Sequence, residues 1–228
     1  MASSLYWRRT QAIAEKDTLP TLLDLEAFRA CPLTRVPFDF LVVRDFVRAE
    51  ARPAIERAFP QVRRGGSFPV EVLRYGKAFG ELVEELNGPE VRRAIEEKFG
   101  LDLSGRPTMT TVRGRCTTRD GNIHTDSETK IITVLIYLNP PWTDPGGRFR
   151  LLRSAQDLDD SIVEVPPDNG TLVAFRRGPN SYHGHTPFIG ERRAVQFNWI
   201  TNKAVVRREL MRHRLSALVK NLLPAPSL

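Results

Sequence analysis

The feature of this sequence that most constrains its fold is a series of short β-rich segments between Pro107 and Thr201. Turn residues separate these segments at the spacing expected of an antiparallel sandwich or barrel. We count eight candidate strands, and eight short antiparallel strands predict a jelly roll. The candidates are Met109 to Cys116, Asn122 to Thr125, Lys130 to Leu138, Arg148 to Leu152, Ile162 to Val165, Thr171 to Phe175, Tyr182 to Phe188 and Arg192 to Ile200.

The segments on either side of this region have helical rather than β periodicity. Residues 1–106 predict helices with one strand from Phe38 to Val43, and residues 202–228 predict a basic helix that follows a cap at Asn202. Because 228 residues is a usual size for one domain, we expect a single domain with N-terminal support (1–106), a jelly-roll core (107–201) and a C-terminal helix (202–228). Helical periodicity in the first part covers Leu22 to Phe28, Ala51 to Phe59, Gly80 to Leu86 and Glu90 to Phe99.

The net charge of +7 first suggests an acidic partner such as nucleic acid or a membrane surface. Most of this charge lies in one place, because the stretch from Lys203 to Lys220 contains six Lys and Arg and the single acidic residue Glu209. The rest of the chain is close to neutral. We therefore expect neither nucleic-acid nor membrane binding, and the apolar side of the terminal helix is a candidate homodimer contact.

Cysteine use and hydropathy bear on the compartment. The only two cysteines, Cys31 and Cys116, are not spaced like a metal knuckle or a disulfide framework. The longest apolar run, from Ile131 to Leu138, is too short to cross a bilayer. These features predict a cytoplasmic protein.

The pattern His124-Thr125-Asp126 lies at the edge of a β-run. Residues i and i+2 of a strand point to the same face, so His124 and Asp126 can bind one cation. A distant strand can supply His183 as the third ligand. Two histidines and one carboxylate leave coordination positions open, as in non-haem Fe(II) oxygenases. The pattern therefore predicts an iron site.

Further elements follow this motif in a definite order. Tyr137-Leu138-Asn139 is followed by Trp142 and a Gly-Gly pair, then by Ser-x-His-x-x-x-Pro ending at Pro187, then by an arginine. In this order of elements, residues 108–199 resemble the Fe(II)/2-oxoglutarate-dependent dioxygenase superfamily, most of all its prolyl-hydroxylase-like branch. The resemblance implies a double-stranded β-helix with N-terminal helical support, in agreement with the strand count.

The resemblance also implies a site and a reaction. His124, Asp126 and His183 match the iron ligands, and His185, on the same strand face as His183, stays an alternative ligand. Tyr137 matches a tyrosine that hydrogen-bonds 2-oxoglutarate. The implied cofactors are Fe(II), 2-oxoglutarate and O₂. The implied reaction is hydroxylation of an unactivated C–H bond in a small molecule or in an amino acid or peptidyl residue, with release of succinate and CO₂.

Two adjacent arginines are candidates for the anchor of 2-oxoglutarate. Alternation along the last strand places Arg192 on a polar face with Gln196, and Arg193 on an apolar face. Because the polar face should line the ligand cavity, alternation favours Arg192. The arginine-to-tryptophan spacing of the resembled family, measured from Trp199, selects Arg193 instead, so both remain candidates.

Arg115, just before the His-x-Asp motif, is a candidate substrate contact, although arginines on edge strands usually face solvent. A cupin-like metal-binding or isomerase module that does not use 2-oxoglutarate is the alternative function. A buried arginine opposite the metal would distinguish the two functions, since a cupin needs none.

Overall fold

The computed structural model describes residues 21–208 and Met211. The described N-terminal part consists of four α-helices, a 3-10 helix (Val70–Val72) and two strands. The periodicity predicts the α-helices and the first strand, but it does not predict the short second strand. Helix α1 begins at the side chain of Asp24, which accepts a hydrogen bond from the amide of Ala27, and α4 ends at Gly100 in the left-handed conformation (φ 63°) that suits glycine. The helices are α1 (Leu25–Ala30), α2 (Arg52–Ala58), α3 (Lys77–Leu86) and α4 (Pro89–Phe99), and the strands are β1 (Phe40–Val43) and β2 (Phe68–Pro69).

The remaining strands complete two antiparallel sheets. A six-stranded sheet has the order β1-β7-β4-β9-β3-β2, and a three-stranded sheet has the order β6-β5-β8. The strands are β3 (Thr108–Cys116), β4 (Lys130–Tyr137), β5 (Phe149–Leu152), β6 (Ser161–Val165), β7 (Leu172–Arg176), β8 (His183–His185) and β9 (Gly190–Ile200).

This strand order confirms the predicted jelly roll, with its two packed sheets and flanking helices. Seven of the eight candidate strands form. Six differ from the prediction by one or two residues at their ends, and the candidate from Tyr182 to Phe188 is shortened to β8. The strand expected at Asn122 to Thr125 is wrong as a strand, because the chain there makes only an isolated bridge between His124 and His183. That bridge still adds the His124 segment to the small sheet beside β8.

Two apolar clusters lie on opposite faces of the large sheet. The helices cover one face, where Phe79 and Ile95 belong to the same cluster as Phe197 and Trp199 of β9. The other face packs on the small sheet through side chains such as Phe149 and Phe175. The space between the two sheets is therefore where inward-facing polar residues must meet.

The C-terminal helix is described only at its start. Residues 203–208 are helical, and the side chain of Asn202 accepts a hydrogen bond from the amide of Val205 at 3.0 Å, as the predicted cap requires. The rest of the predicted helix, and the homodimer contact expected of it, lie outside the described residues. Across residues 21–208, no helix combines the length and apolar content that a membrane span requires.

Candidate metal centre

The bridge between His124 and His183 brings two of the predicted ligands together. Their main chains exchange hydrogen bonds of 3.0 and 2.9 Å, and their ring centroids are 4.3 Å apart. Each ring places Nδ1 on a main-chain carbonyl, His124 on Asn122 at 2.8 Å and His183 on Ser181 at 3.0 Å. With Nδ1–H donating to a carbonyl, Nε2 carries the lone pair and is the atom available to a metal.

Asp126 completes the cluster. One potential ligand atom from each of His124, Asp126 and His183 lies within 4.8 Å of the other two. Asp126 Oδ1 lies 2.5 Å from the ammonium of Lys130, and Oδ2 accepts a hydrogen bond from the hydroxyl of Thr133 at 2.5 Å. Both carboxylate oxygens are therefore held in fixed directions.

The electrostatics favour the protonation states that a metal needs. Burial by itself would raise the pKa of Asp126, but the Lys130 ammonium, His183 and the hydrogen bonds from Lys130 and Thr133 outweigh it and lower the pKa below its usual value. Burial lowers the pKa of His183 to about 4. At neutral pH, Asp126 is a carboxylate and His183 is a neutral imidazole, which are the forms that bind a divalent cation.

A cavity of about 270 Å³ extends from these ligands between the two sheets. Arg192, only 4% exposed, lines the same cavity together with Tyr137. Its Nε donates to the carbonyl of Gly147 at 2.7 Å, and its guanidinium carbon lies 5.0 Å from the centroid of the Tyr137 ring. Gly147 (φ 72°) and its neighbour Gly146 thus form a turn that positions the arginine.

Arg193 points away from this cavity. It lines a separate groove, lies over the ring of Phe59 at 5.4 Å and pairs with Glu191. The alternation predicted for β9 is confirmed: Arg192, Ala194 and Gln196 line the cavity, while Val195, Phe197 and Trp199 join the core under the helices.

The other predicted residues are placed as follows. His185 lines the cavity, where its Nδ1 lies 2.8 Å from the carbonyl of Thr186, and it is outside the three-ligand cluster. Burial, followed by the charge of Arg192, lowers the pKa of His185 to about 4.

Arg115 lies in the groove with Arg193 and does not line the cavity. A β-bulge between Arg113 and Arg115 turns these two side chains to different sides of β3, so that Arg113 lines the cavity instead.

Sequence reasoning missed Lys130 and Thr133. Thr133 could have been found by alternation, since it lies four residues before Tyr137 on β4 and so shares its face. It also accepts a hydrogen bond from Asn198 at 2.8 Å, which continues the network to β9. Lys130 gives no such signal, because a register shift between Lys130 and Ile132 brings it to the cavity.

The donor set and its surroundings fit Fe(II). A face of two histidines and one carboxylate leaves positions open for other ligands, and the open volume next to it ends at a buried guanidinium. Within the described residues this guanidinium has no carboxylate partner, and it suits the carboxylate of a small acid.

Comparison with known proteins gives two findings. Residues 115–201, which contain every candidate ligand and both arginines, match the family model of the 2OG-Fe(II) oxygenase superfamily. No curated protein sequence matches the chain.

Among solved structures, the fold is similar to a prolyl-4-hydroxylase from Pseudomonas putida. The two are 17% identical, the match covers 78% of this chain and 93% of the other, and the TM-score is 0.50. It is also similar to a viral collagen prolyl hydroxylase from Paramecium bursaria Chlorella virus-1, with 13% identity, 72% and 96% coverage and a TM-score of 0.52.

Proposed function

We propose, on the premise that residues 115–201 belong to the 2OG-Fe(II) oxygenase superfamily, that His124, Asp126 and His183 bind Fe(II). Arg192 and Tyr137 then bind the far carboxylate of 2-oxoglutarate. The chain is an Fe(II)- and 2-oxoglutarate-dependent dioxygenase. When bound, Fe(II), 2-oxoglutarate and O₂ supply the oxidation of a C–H bond to an alcohol, with release of succinate and CO₂.

The observation that carries this proposal is the buried Arg192. A guanidinium at 4% exposure is costly unless an anion meets it, and the cavity in front of Arg192 leads to the metal ligands. A cupin-like module needs no such arginine. The position of Arg192 therefore favours a 2-oxoglutarate-dependent enzyme over a cupin-like module. It also favours Arg192, rather than Arg193, as the residue that anchors 2-oxoglutarate.

The chain's own side chains prepare the site for these ligands. Lys130 and Thr133 hold the Asp126 carboxylate, and the main-chain carbonyls at Asn122 and Ser181 hold the rings of His124 and His183. Tyr137 is buried, and burial raises the pKa of its hydroxyl, so the phenol stays protonated. A fixed first set of ligands reduces the rearrangement that binding requires.

The substrate side is a second chamber. A polar space of about 300 Å³ adjoins His124 and Asp126 and is lined by Thr111, Gln196 and Asn198 among others. Because the similar folds belong to a prolyl-4-hydroxylase and a collagen prolyl hydroxylase, we propose an amino acid or peptidyl residue as substrate. The polar lining is suited to main-chain amides and carbonyls.

The compartment and the assembly are also proposals. Cys31 and Cys116 are free thiols, which suits a reducing cytoplasm. A homodimer through the C-terminal helix would be tested by comparing the solution mass of the full chain with that of a chain ending after Asn202.

Anaerobic addition of Fe(II) and 2-oxoglutarate to the purified protein tests the function. We expect a visible charge-transfer band and, after O₂ is admitted, formation of succinate. Asp126→Ala should lose both signals, whereas the control Asp157→Ala, at an exposed loop position, should keep both. A folded wild-type protein without the band would refute the assignment of 2-oxoglutarate.

A further inference from the structure

A groove separate from the metal-ligand cavity lies between the end of α2, strand β2 and the start of α3, and has a volume of about 1070 Å³. A second groove of about 380 Å³ shares residues 59–63 with it and continues to β3 and β9. Small-molecule sites usually measure roughly 300–1000 Å³. The two grooves together, which we call the arginine trough, therefore have room for an extended polypeptide.

The floor of the trough is apolar and firmly held. Phe59 and Leu73 line it and pack against the core under the helices. The Phe59 ring meets the buried Phe79 edge to face at 5.4 Å. The amide of Gly76 donates to the carbonyl of Ala58 at 2.9 Å, which ties the end of α2 to the residue before α3. The trough is therefore formed before any ligand binds.

The walls of the trough are strongly basic. Among the described residues, six arginines line it, and the one acidic lining residue, Glu191, already pairs with Arg193. The six are Arg57, Arg63, Arg64, Arg74, Arg115 and Arg193.

Most of this positive charge has no counterpart within the part of the chain that the structure describes. The side chains of Arg57, Arg74 and Arg115 make no hydrogen bond or ion pair with described residues. Arg63 has only the neutral side chain of Gln61, at 3.1 Å. Like charges held in one concave surface raise the local potential and attract an anionic partner.

Carboxylates of a polypeptide fit the trough better than nucleotides do. Guanidinium groups bind carboxylates through paired hydrogen bonds, and clusters of arginine recognise acidic motifs. Nucleic-acid binding would also need free aromatic faces for base stacking. The face of Phe59 is covered by the guanidinium of Arg193. Tyr75 is 42% exposed but contacts Phe79 on one side, so it can offer a base one face only.

The trough also adjoins the cavity of the metal ligands. Ser67 lines both the cavity and the second chamber, and its neighbour Phe68 lines the trough. On β3, Arg113 lines the cavity and Arg115 lines the trough. A chain that crosses the edge formed by β2 and β3 would reach both.

We propose that the arginine trough docks an acidic segment of a polypeptide substrate and so places a nearby residue in the second chamber beside His124 and Asp126. The proposal rests on the proposed function only in naming the partner a substrate. Docking itself needs neither Fe(II) nor 2-oxoglutarate.

Fluorescence anisotropy with metal-free full-length protein tests the docking. The probes are a labelled peptide of alternating glutamate and glycine, the matching lysine peptide, and a single-stranded RNA. We expect the glutamate peptide to bind and the lysine peptide not to bind. The double variant Arg57→Ala with Arg74→Ala should weaken glutamate-peptide binding about tenfold or more.

Two controls separate the trough from net charge. The double variant Arg35→Ala with Arg93→Ala removes the same charge from exposed positions elsewhere and should change affinity less than about twofold. Arg57→Lys with Arg74→Lys keeps the charge without the paired hydrogen bonds, and should give an intermediate affinity.

Three outcomes would overturn the proposal. In the first, the glutamate peptide does not bind, and in the second, the exposed control variant loses as much affinity for it as the trough variant does. The third is that RNA binds more tightly than the glutamate peptide and that the trough variant loses this RNA binding. The charge-transfer band, recorded on the same preparation, reports separately on the oxygenase function. Docking and oxygenase function can therefore fail independently.

Discussion

The ammonium nitrogen of Lys130 lies 2.5 Å from Oδ1 of Asp126, and both side chains are largely buried, at 15% and 6% exposure. In the metal-free protein this pair neutralises a carboxylate that would otherwise be isolated between the sheets. Thr133 holds the other oxygen. The carboxylate is thus oriented before a cation arrives, and the cation takes over part of the electrostatic role of Lys130.

Removing this ammonium should therefore destabilise the metal-free protein more than the metal-bound protein. We expect Lys130→Met to lower the free energy of unfolding by about 2 to 3 kcal/mol without metal, because a buried charge loses its partner. Saturating Mn(II), a redox-stable substitute for Fe(II), should reduce this difference. Urea unfolding with and without Mn(II) measures both values.

The control is Lys77→Met, which breaks an exposed pair with Glu81 on α3. It should cost less than about 1 kcal/mol in either condition. If Mn(II) did not reduce the loss of unfolding free energy in Lys130→Met, the lysine would act through packing alone.

Simple periodicity predicted a large part of this site. The period of two along β9 separated Arg192 from Arg193, since a strand with one face toward a cavity and one toward a core must alternate. The His-x-Asp pattern located two candidate ligands even though their segment forms only a bridge. Local pattern could not predict the bulge between Arg113 and Arg115 or the register shift beside Lys130, because pairing with neighbouring strands determines these irregularities.

The arginine assignment can be tested by 2-oxoglutarate affinity. Arg192→Ala should weaken binding on the order of thirtyfold, because one buried charge-assisted contact is worth about 2 kcal/mol. Arg193→Ala should change binding less than about threefold, since its guanidinium lies over Phe59 outside the cavity. Titration of the charge-transfer band gives both constants, and a larger loss at Arg193 would favour the spacing rule of the family.

The two histidines of β8 should differ in metal binding. His183→Ala should abolish tight Mn(II) binding, because it removes one of three ligands. His185→Ala should keep metal binding and mainly weaken 2-oxoglutarate, because His185 lines the cavity and its pKa responds to the charge of Arg192. Calorimetry with Mn(II) distinguishes the two. If His185→Ala were the variant without metal binding, His185 would be the ligand.

Gly121 should be essential to the loop that carries His124. Its carbonyl accepts the amide of His185 at 3.0 Å, its φ is 98°, and an added Cβ would collide with the carbonyl of His185. Gly121→Ala should therefore cost about 3 kcal/mol or more of unfolding free energy and weaken Mn(II) binding. The matched control is Gly105→Ala, which has φ 67° with no atom near the added carbon and should cost only about 1 kcal/mol. Equal losses of unfolding free energy in Gly121→Ala and Gly105→Ala would show that the added Cβ does not collide with the carbonyl of His185.

The stability of the metal-free protein should fall as the pH is lowered from about 6.5 toward 4. His183 and His185 both have a pKa near 4 in the folded state, chiefly through burial, against an ordinary value of 6.5. Within this window the unfolded chain binds protons that the folded chain excludes. Each histidine therefore contributes a slope of about 1.4 kcal/mol per pH unit, and the free energy of unfolding levels off above pH 6.5 for these two groups. Urea unfolding at intervals across this range should show the slope, and His185→Asn should remove about half of it. A free energy of unfolding that stays constant between these pH values would mean that neither imidazole is buried in its neutral form.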